Sequence, residues 1–193
     1  MRNKLSILAV LLIVAQLLLV LASWILSAAM PLSGIRSILS GEGLRWFLGH
    51  FADMMATPIL VWILLLAMAY GVVRRSKLFR YRSSYRGRNA LWLSLFLLLV
   101  IIGIVSCMTV VPHAVLLSAS GTLWPSPFSF SLIPLIAFSL MSIGFVYGGV
   151  SGNFQSLYDV YNALIEGICL VAPIIPLYVL ATQFYYTLCF VLP

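Results

Sequence analysis

Asp53, Glu166 and Gln183 are polar side chains that stand within, or at the ends of, long apolar runs. An ionisable group at membrane depth is expensive and commonly lines a path for a solute or for protons. A glutamine there can hold a solute by hydrogen bonds. A second reading stays open for each: Asp53 and Glu166 lie close enough to the ends of their runs to reach water, and Gln183 bonds a neighbouring helix. Reactive chemistry has less to work with. No nucleophile stands beside a base, no carboxylates are paired at a useful spacing, and there is no glycine-rich phosphate loop, so an enzyme is not expected. Cys107, Cys169 and Cys189 each sit in an apolar run without a CxxC pattern, and His50 and His113 are the only histidines. A metal site needs several ligands converging, so neither a metal nor another cofactor is expected.

The elements that must position these groups follow from composition. Of 193 residues, 63% are hydrophobic and 8% charged, more apolar surface than a soluble domain of this size could hide in one core. The apolar residues come in runs of about twenty, the length of helix that crosses roughly 30 Å of hydrocarbon. A backbone exposed to lipid must satisfy its own hydrogen bonds, which makes helices the default. The expectation is an all-α polytopic membrane protein in a single transmembrane domain of five spans, at about 5–29, 51–73, 91–111, 128–147 and 163–192. The first apolar run is too long for a signal-peptide core and reads as a retained helix.

The net charge of +7 could suggest nucleic acid, but the cations are placed for a membrane. Seven of the eleven lie in a basic loop at 74–89, from Arg74 to Arg88, and Arg2 and Lys4 precede the first run. Arg36 and Arg45 are the two left for the other side. This is the positive-inside pattern, with the N-terminus and the basic loop cytoplasmic. Such a loop is a topology signal or an anionic-lipid contact, and nucleic acid is not an expected partner.

Between the first two spans, segment 30–50 has its own character. Ser40 can cap a short interfacial helix in which Leu44, Phe47, Leu48 and Phe51 form one apolar stripe, with Trp46 at headgroup level. Pro58 falls about one turn deeper than Asp53 in the second span. Pro112 ends the third, and an uncharged outside loop follows to about Pro127. Gly148, Gly149 and Gly152 read as a short inside connection that also carries Asp159. Gly144 and Gly148 have GxxxG spacing, which fits either a turn or a packing face. The last run is longer than a straight crossing needs, and Pro173 and Pro176 should kink or break it.

Several of these stretches, taken in order, resemble the p-aminobenzoyl-glutamate transporter (AbgT) family. Ser37-Ile-Leu-Ser-Gly-Glu-Gly-Leu-Arg-Trp46 is similar to the family's outside segment after its first helix, and Tyr70-Gly-Val-Val-Arg-Arg-Ser-Lys-Leu78 to the end of its second. Pro125-Ser-Pro-Phe128, Ile133-Pro-Leu-Ile136, Tyr147-Gly148 and Gln183-Phe184 resemble the start of its second half. Family members carry further helices and a re-entrant hairpin where this chain has the basic loop. The tip of their second hairpin is replaced here by Tyr185-Tyr-Thr-Leu-Cys-Phe190. A rival alignment places Gly149-Val-Ser-Gly-Asn-Phe154 on the first hairpin.

The resemblance implies a secondary transporter of the bacterial inner membrane, driven by an ion gradient and moving an aromatic-acid conjugate or a related organic anion. It implies mostly the scaffold that dimerises, hence a reduced relative acting as a homodimer or with a larger membrane partner. The family's substrate-contacting hairpin residues do not carry over, which leaves Asp53, Glu166 and Gln183 as the candidates. A membrane interaction protein that kept the scaffold surface without transport is the alternative.

Overall fold

A computed structural model describes residues 2–30, 34–79, 85–110 and 127–192. All elements among the described residues are helical. They are α1 Arg2–Ala29, α2 Gly41–Gly49, α3 Phe51–Met55, α4 Pro58–Ser76, α5 Tyr85–Val110, α6 Pro127–Ser151, α7 Leu157–Val171, a 3-10 turn Ala172–Ile174, and α8 Ile175–Val191. Five stretches are long and apolar enough to cross a membrane, α7, the turn and α8 together forming one of 35 residues. The expected all-helical polytopic class is found. Leu11, Leu17 and Leu18 on α1 and Phe96 and Leu99 on α5 are largely exposed, an arrangement suited to lipid, which solvates such side chains as well as another helix does.

Several boundaries differ from the sequence expectation: both ends of the loop expected at 74–89 are helical, since α4 runs to Ser76 and α5 starts at Tyr85 rather than at 91, and the last run starts at Leu157 rather than at 163. The second membrane-length helix is Pro58–Ser76, because the chain breaks at Ala56 and Thr57. Proline lacks the N–H that a continuing helix needs, disfavours helical backbone in the residue before it, and suits the first position of a new helix. Phe51 therefore starts α3 and is not the last member of the α2 stripe. Gly148 and Gly149 lie inside α6, which runs to Ser151. Asp159 lies in the first turn of α7, where Ser156 and Asp159 form a capping box. The Asp159 amide donates to the Ser156 hydroxyl at 3.3 Å, and the Asp159 carboxylate accepts from the Ser156 amide at 3.2 Å. The expected break after Val171 is present, where Pro173 lies in the 3-10 turn and Pro176 opens α8. Most of the expected outside loop after Pro112 lies outside the described residues, as do 80–84 of the basic loop.

The chain groups into two compact units, Met1–Val61 with Val171–Pro193, and Trp62–Leu170. In the first, α8 packs against α1 and α3. Ser40 caps α2 as expected, its hydroxyl accepting from the Gly43 amide at 3.0 Å. A side chain at Gly43 would lie 2.5 Å from the Ser37 carbonyl, so the residue must be glycine. The segment before α2 is tied down on both sides, by the Ile38 amide on the Ser23 hydroxyl at 3.4 Å and by the Arg36 amide on the Val191 carbonyl at 3.3 Å. Deep on α1, Gln16 Nε2 donates to Thr187 Oγ1 of α8 at 3.0 Å. Thr187 is fully buried. Interhelical bonds of this kind contribute about 0.6–1.7 kcal/mol in membrane proteins. Thr187→Val keeps the shape and should lower the thermal midpoint in detergent by that order of stability, whereas Thr187→Ser should retain it. Equal midpoints for all three proteins would show the bond to be idle.

In the second unit α5 and α6 run side by side, and α4 crosses α7 at small residues. A side chain at Gly71 would strike the Ala163 carbonyl, and one at Gly167 the Ala67 carbonyl. Gly144 and Gly148 are packing positions too, facing Val72 and the Phe154 ring. Val72, Phe154 and Ala163 form the buried centre, with Met141, Phe145, Val160 and Leu164 around it. Pro134 sits inside α6, where the Ser131 hydroxyl bonds the Phe128 carbonyl at 3.1 Å in the turn before it.

Candidate functional site

Polar groups cluster in two places, one in each unit. In the unit Trp62–Leu170, Arg74 and Arg75 occupy the last turn of α4, where cations suit the negative end of the helix dipole. Arg75 lies 3.4 Å from Asp159 and 4.0 Å from Glu166, and Arg74 3.9 Å from Glu166. The same helix end is closed by Asn153, whose amide donates to the Ser76 carbonyl at 2.8 Å. Lys77 then leaves the helix with φ +56°, the left-handed backbone common just past a helix end. The charged side chains are partly exposed, so each pair contributes at most about 1 kcal/mol. Together they clamp the end of α4 to the start and middle of α7.

In the other unit the α3–α4 break supplies irregular backbone. The Tyr178 hydroxyl bonds Thr57 Oγ1 and lies 3.3 Å from the Met55 carbonyl, so a side chain of α8 meets groups that the break leaves without helical partners. Thr182, one turn on, bonds back to its own helix at 2.9 Å and touches Met55 Sδ at 3.6 Å. Tyr178, Thr182, Tyr186 and Cys189 are spaced at i, i+4, i+8 and i+11, one stripe along α8.

That stripe leads to a cleft of about 300 Å³ lined by Arg36, Trp46, Tyr186, Cys189, Phe190 and Leu192. Trp46 stacks on Phe190 with ring centroids 4.3 Å apart, and the Arg36 guanidinium lies 5.9 Å above the same ring. Trp46, expected as a headgroup anchor, is a wall of this cleft, and its other stacking partner is His50 at 5.8 Å. A cation beside aromatic faces and a phenol hydroxyl can hold a planar organic anion through stacking and a charge-assisted hydrogen bond. A larger cavity, about 350 Å³ between α5 and α6, is lined by apolar side chains apart from Ser106 and Ser139. Among the described residues no group of His, Cys, Asp and Glu could hold a metal ion.

The three residues singled out from the sequence are not gathered into one site within either unit. Asp53 is exposed in the first turn of α3. Glu166 is partly exposed and paired with Arg74 and Arg75. Gln183 is half-buried on α8, one turn before Thr187. Sequence reasoning passed over Gln16, although a lone amide within a leucine-rich run is the signal that finds an interhelical bond. It also passed over Arg36 as a cleft residue, since no local pattern links position 36 to Phe190.

Searches among curated proteins and among solved structures gave no match. The sequence model of the AbgT transporter family matches residues 82–190, more than half of the chain, from the start of α5 almost to the end of α8. With five membrane-length helices and this match, the protein is a multi-pass membrane protein, and the chain belongs to the AbgT transporter family.

Proposed function

We propose that this chain is a reduced AbgT-type transport protein, which supplies scaffold helices and works as a homodimer or with a larger membrane partner to move an aromatic-acid conjugate or related organic anion. The family match across α5–α8 carries the reading. The cleft of Arg36, Trp46, Tyr186 and Phe190 supports it, because its chemistry suits a planar anion. Membrane vesicles from cells expressing the chain should accumulate p-aminobenzoyl-glutamate under an imposed proton or sodium gradient, above vesicles from cells without it. Identical uptake in the two preparations would remove the solute from the proposal. A second reading, a membrane interaction protein without transport, is favoured by the apolar lining of the cavity between α5 and α6. That reading gains if no gradient dependence is found.

The proposed setting is the bacterial inner membrane with the N-terminus inside. Nine cations (Arg2, Lys4 and the seven from Arg74 to Arg88) mark the inner side against Arg36 and Arg45 on the outer. Reporter fusions should read cytoplasmic at Arg82 and periplasmic at Ser118. Arg82 on the outside would overturn the map.

A further inference from the structure

The chain has four acidic residues. Asp159 and Glu166 lie within 4.0 Å of Arg74 or Arg75. Glu42 and Asp53 precede α4, whose 19 residues separate them in the chain from the basic segment. Among the described residues, Lys77, Arg86 and Arg88 form no ion pair with a carboxylate. These cations follow or begin membrane-length helices, where hydrocarbon gives way to headgroups.

The exposed face of α5 continues the pattern into the membrane. Tyr85, Arg88, Trp92, Phe96 and Leu99 recur at i, i+3, i+7, i+11 and i+14, one stripe of the helix. Tyr85 is 72% exposed, Trp92 68%, Phe96 64% and Leu99 60%. The opposite face, through Gly87, Ala90 and Ser94, is buried. The Arg88 guanidinium lies 5.9 Å from the Tyr85 ring centroid, which holds the charge against the aromatic at the start of the stripe. Read from the helix start, the stripe is a cation, then interfacial aromatics, then an apolar strip, the order of an amphiphile's headgroup, glycerol region and acyl chain.

We propose that the start of α5, with Arg86 and Arg88, binds the phosphate headgroup of an anionic phospholipid whose acyl chain lies along Trp92, Phe96 and Leu99. The occupant follows from charge complementarity and from the apolar continuation, which a free phosphate would leave unused.

The full chain, purified in mild detergent and offered equimolar phosphatidylglycerol and phosphatidylcholine, should retain the anionic lipid about tenfold more in native mass spectra. Arg86→Gln with Arg88→Gln should cut that preference several-fold, Arg86→Lys with Arg88→Lys should keep most of it, and Phe96→Ser should weaken retention of both lipids. Equal retention of the two lipids by the unaltered chain overturns the proposal without recourse to any variant. An undiminished preference in the double glutamine variant overturns the assignment to α5. Displacement of the lipid by millimolar inorganic phosphate would point to an anion site with no lipid role, and would overturn it as well.

Discussion

Gly167→Leu should abolish the folded form of the unit Trp62–Leu170. The first atom of the new side chain would overlap the Ala67 carbonyl oxygen, stand 2.8 Å from the Ala67 carbonyl carbon and 3.1 Å from Gly71 Cα. All of these are backbone atoms, which cannot swing aside as the tip of a side chain can. Relief requires α4 and α7 to move apart along the crossing, which also strains Arg75–Asp159 at 3.4 Å and the packing of Val72 against Ala163. Overpacking usually costs about 1–3 kcal/mol, and a clash between backbones belongs at or above the top of that range. Gly71→Leu should behave alike, since its side chain would meet the Ala163 carbonyl and stand 2.6 Å from the Gly167 nitrogen. Gly149→Leu is the control, because nothing lies within 4 Å of a side chain there. Monodisperse protein in detergent should be lost for the first two and kept for the third. A Gly167→Leu protein that melts within a few degrees of the unaltered chain would show that α4 and α7 do not cross at these residues.

The second large effect is a loss of function on isolation. Purified and reconstituted in liposomes with no other protein, these 193 residues should not accumulate p-aminobenzoyl-glutamate above empty vesicles, although native vesicles should. Transport sites are built from irregular backbone enclosed by protein at membrane depth, usually between two repeats. Of the two proline-bearing breaks within the first unit, the one at Ala56 and Thr57 is met by the Tyr178 hydroxyl. The other continues as a 3-10 turn whose end is bonded, the Ile175 amide to the Ala172 carbonyl. In both, groups of this chain already occupy part of the irregular backbone. Gradient-dependent uptake by the purified chain would sink this expectation and would bring Asp53 and Glu166 forward as candidate coupling groups, to be tested as Asp53→Asn and Glu166→Gln.

Much of the fold was legible because lipid imposes a length. Runs of about twenty apolar residues mark spans whatever their detailed packing. Ser40 and the pair Pro173 and Pro176 were readable for a local reason, since a cap and a missing N–H act within one turn. Pro58 carried the same information, but its position inside an unbroken apolar run concealed a helix start. The capping box at Ser156-Leu-Tyr-Asp159 was legible in principle and hidden by the glycines before it, which suggested a longer connection. The pairing of side chains was not legible. Which face of α4 is turned to the polar stripe Asp159, Asn162 and Glu166 of α7, or that Gln16 meets Thr187 across 171 positions, depends on the rotation of helices that are apolar nearly all round, where the pattern of residue types does not encode it. Glu166 shows the consequence: its type and depth raised the question of a solute path, whereas its neighbours Arg74 and Arg75 are set by that rotation.

The α4–α7 crossing is made of Ala67, Gly71, Ala163 and Gly167, side chains with no rotamers to lose. Ordering a leucine or an arginine at an interface gives up about 0.5–2 kcal/mol of conformational entropy, whereas ordering glycine or alanine side chains gives up none. Separating α4 from α7 therefore liberates little side-chain disorder for heat to favour, and this crossing should be among the last parts of the molecule to open as temperature rises. The Arg36–Phe190–Trp46 cleft, whose walls are long or aromatic side chains held in single conformations, should loosen first.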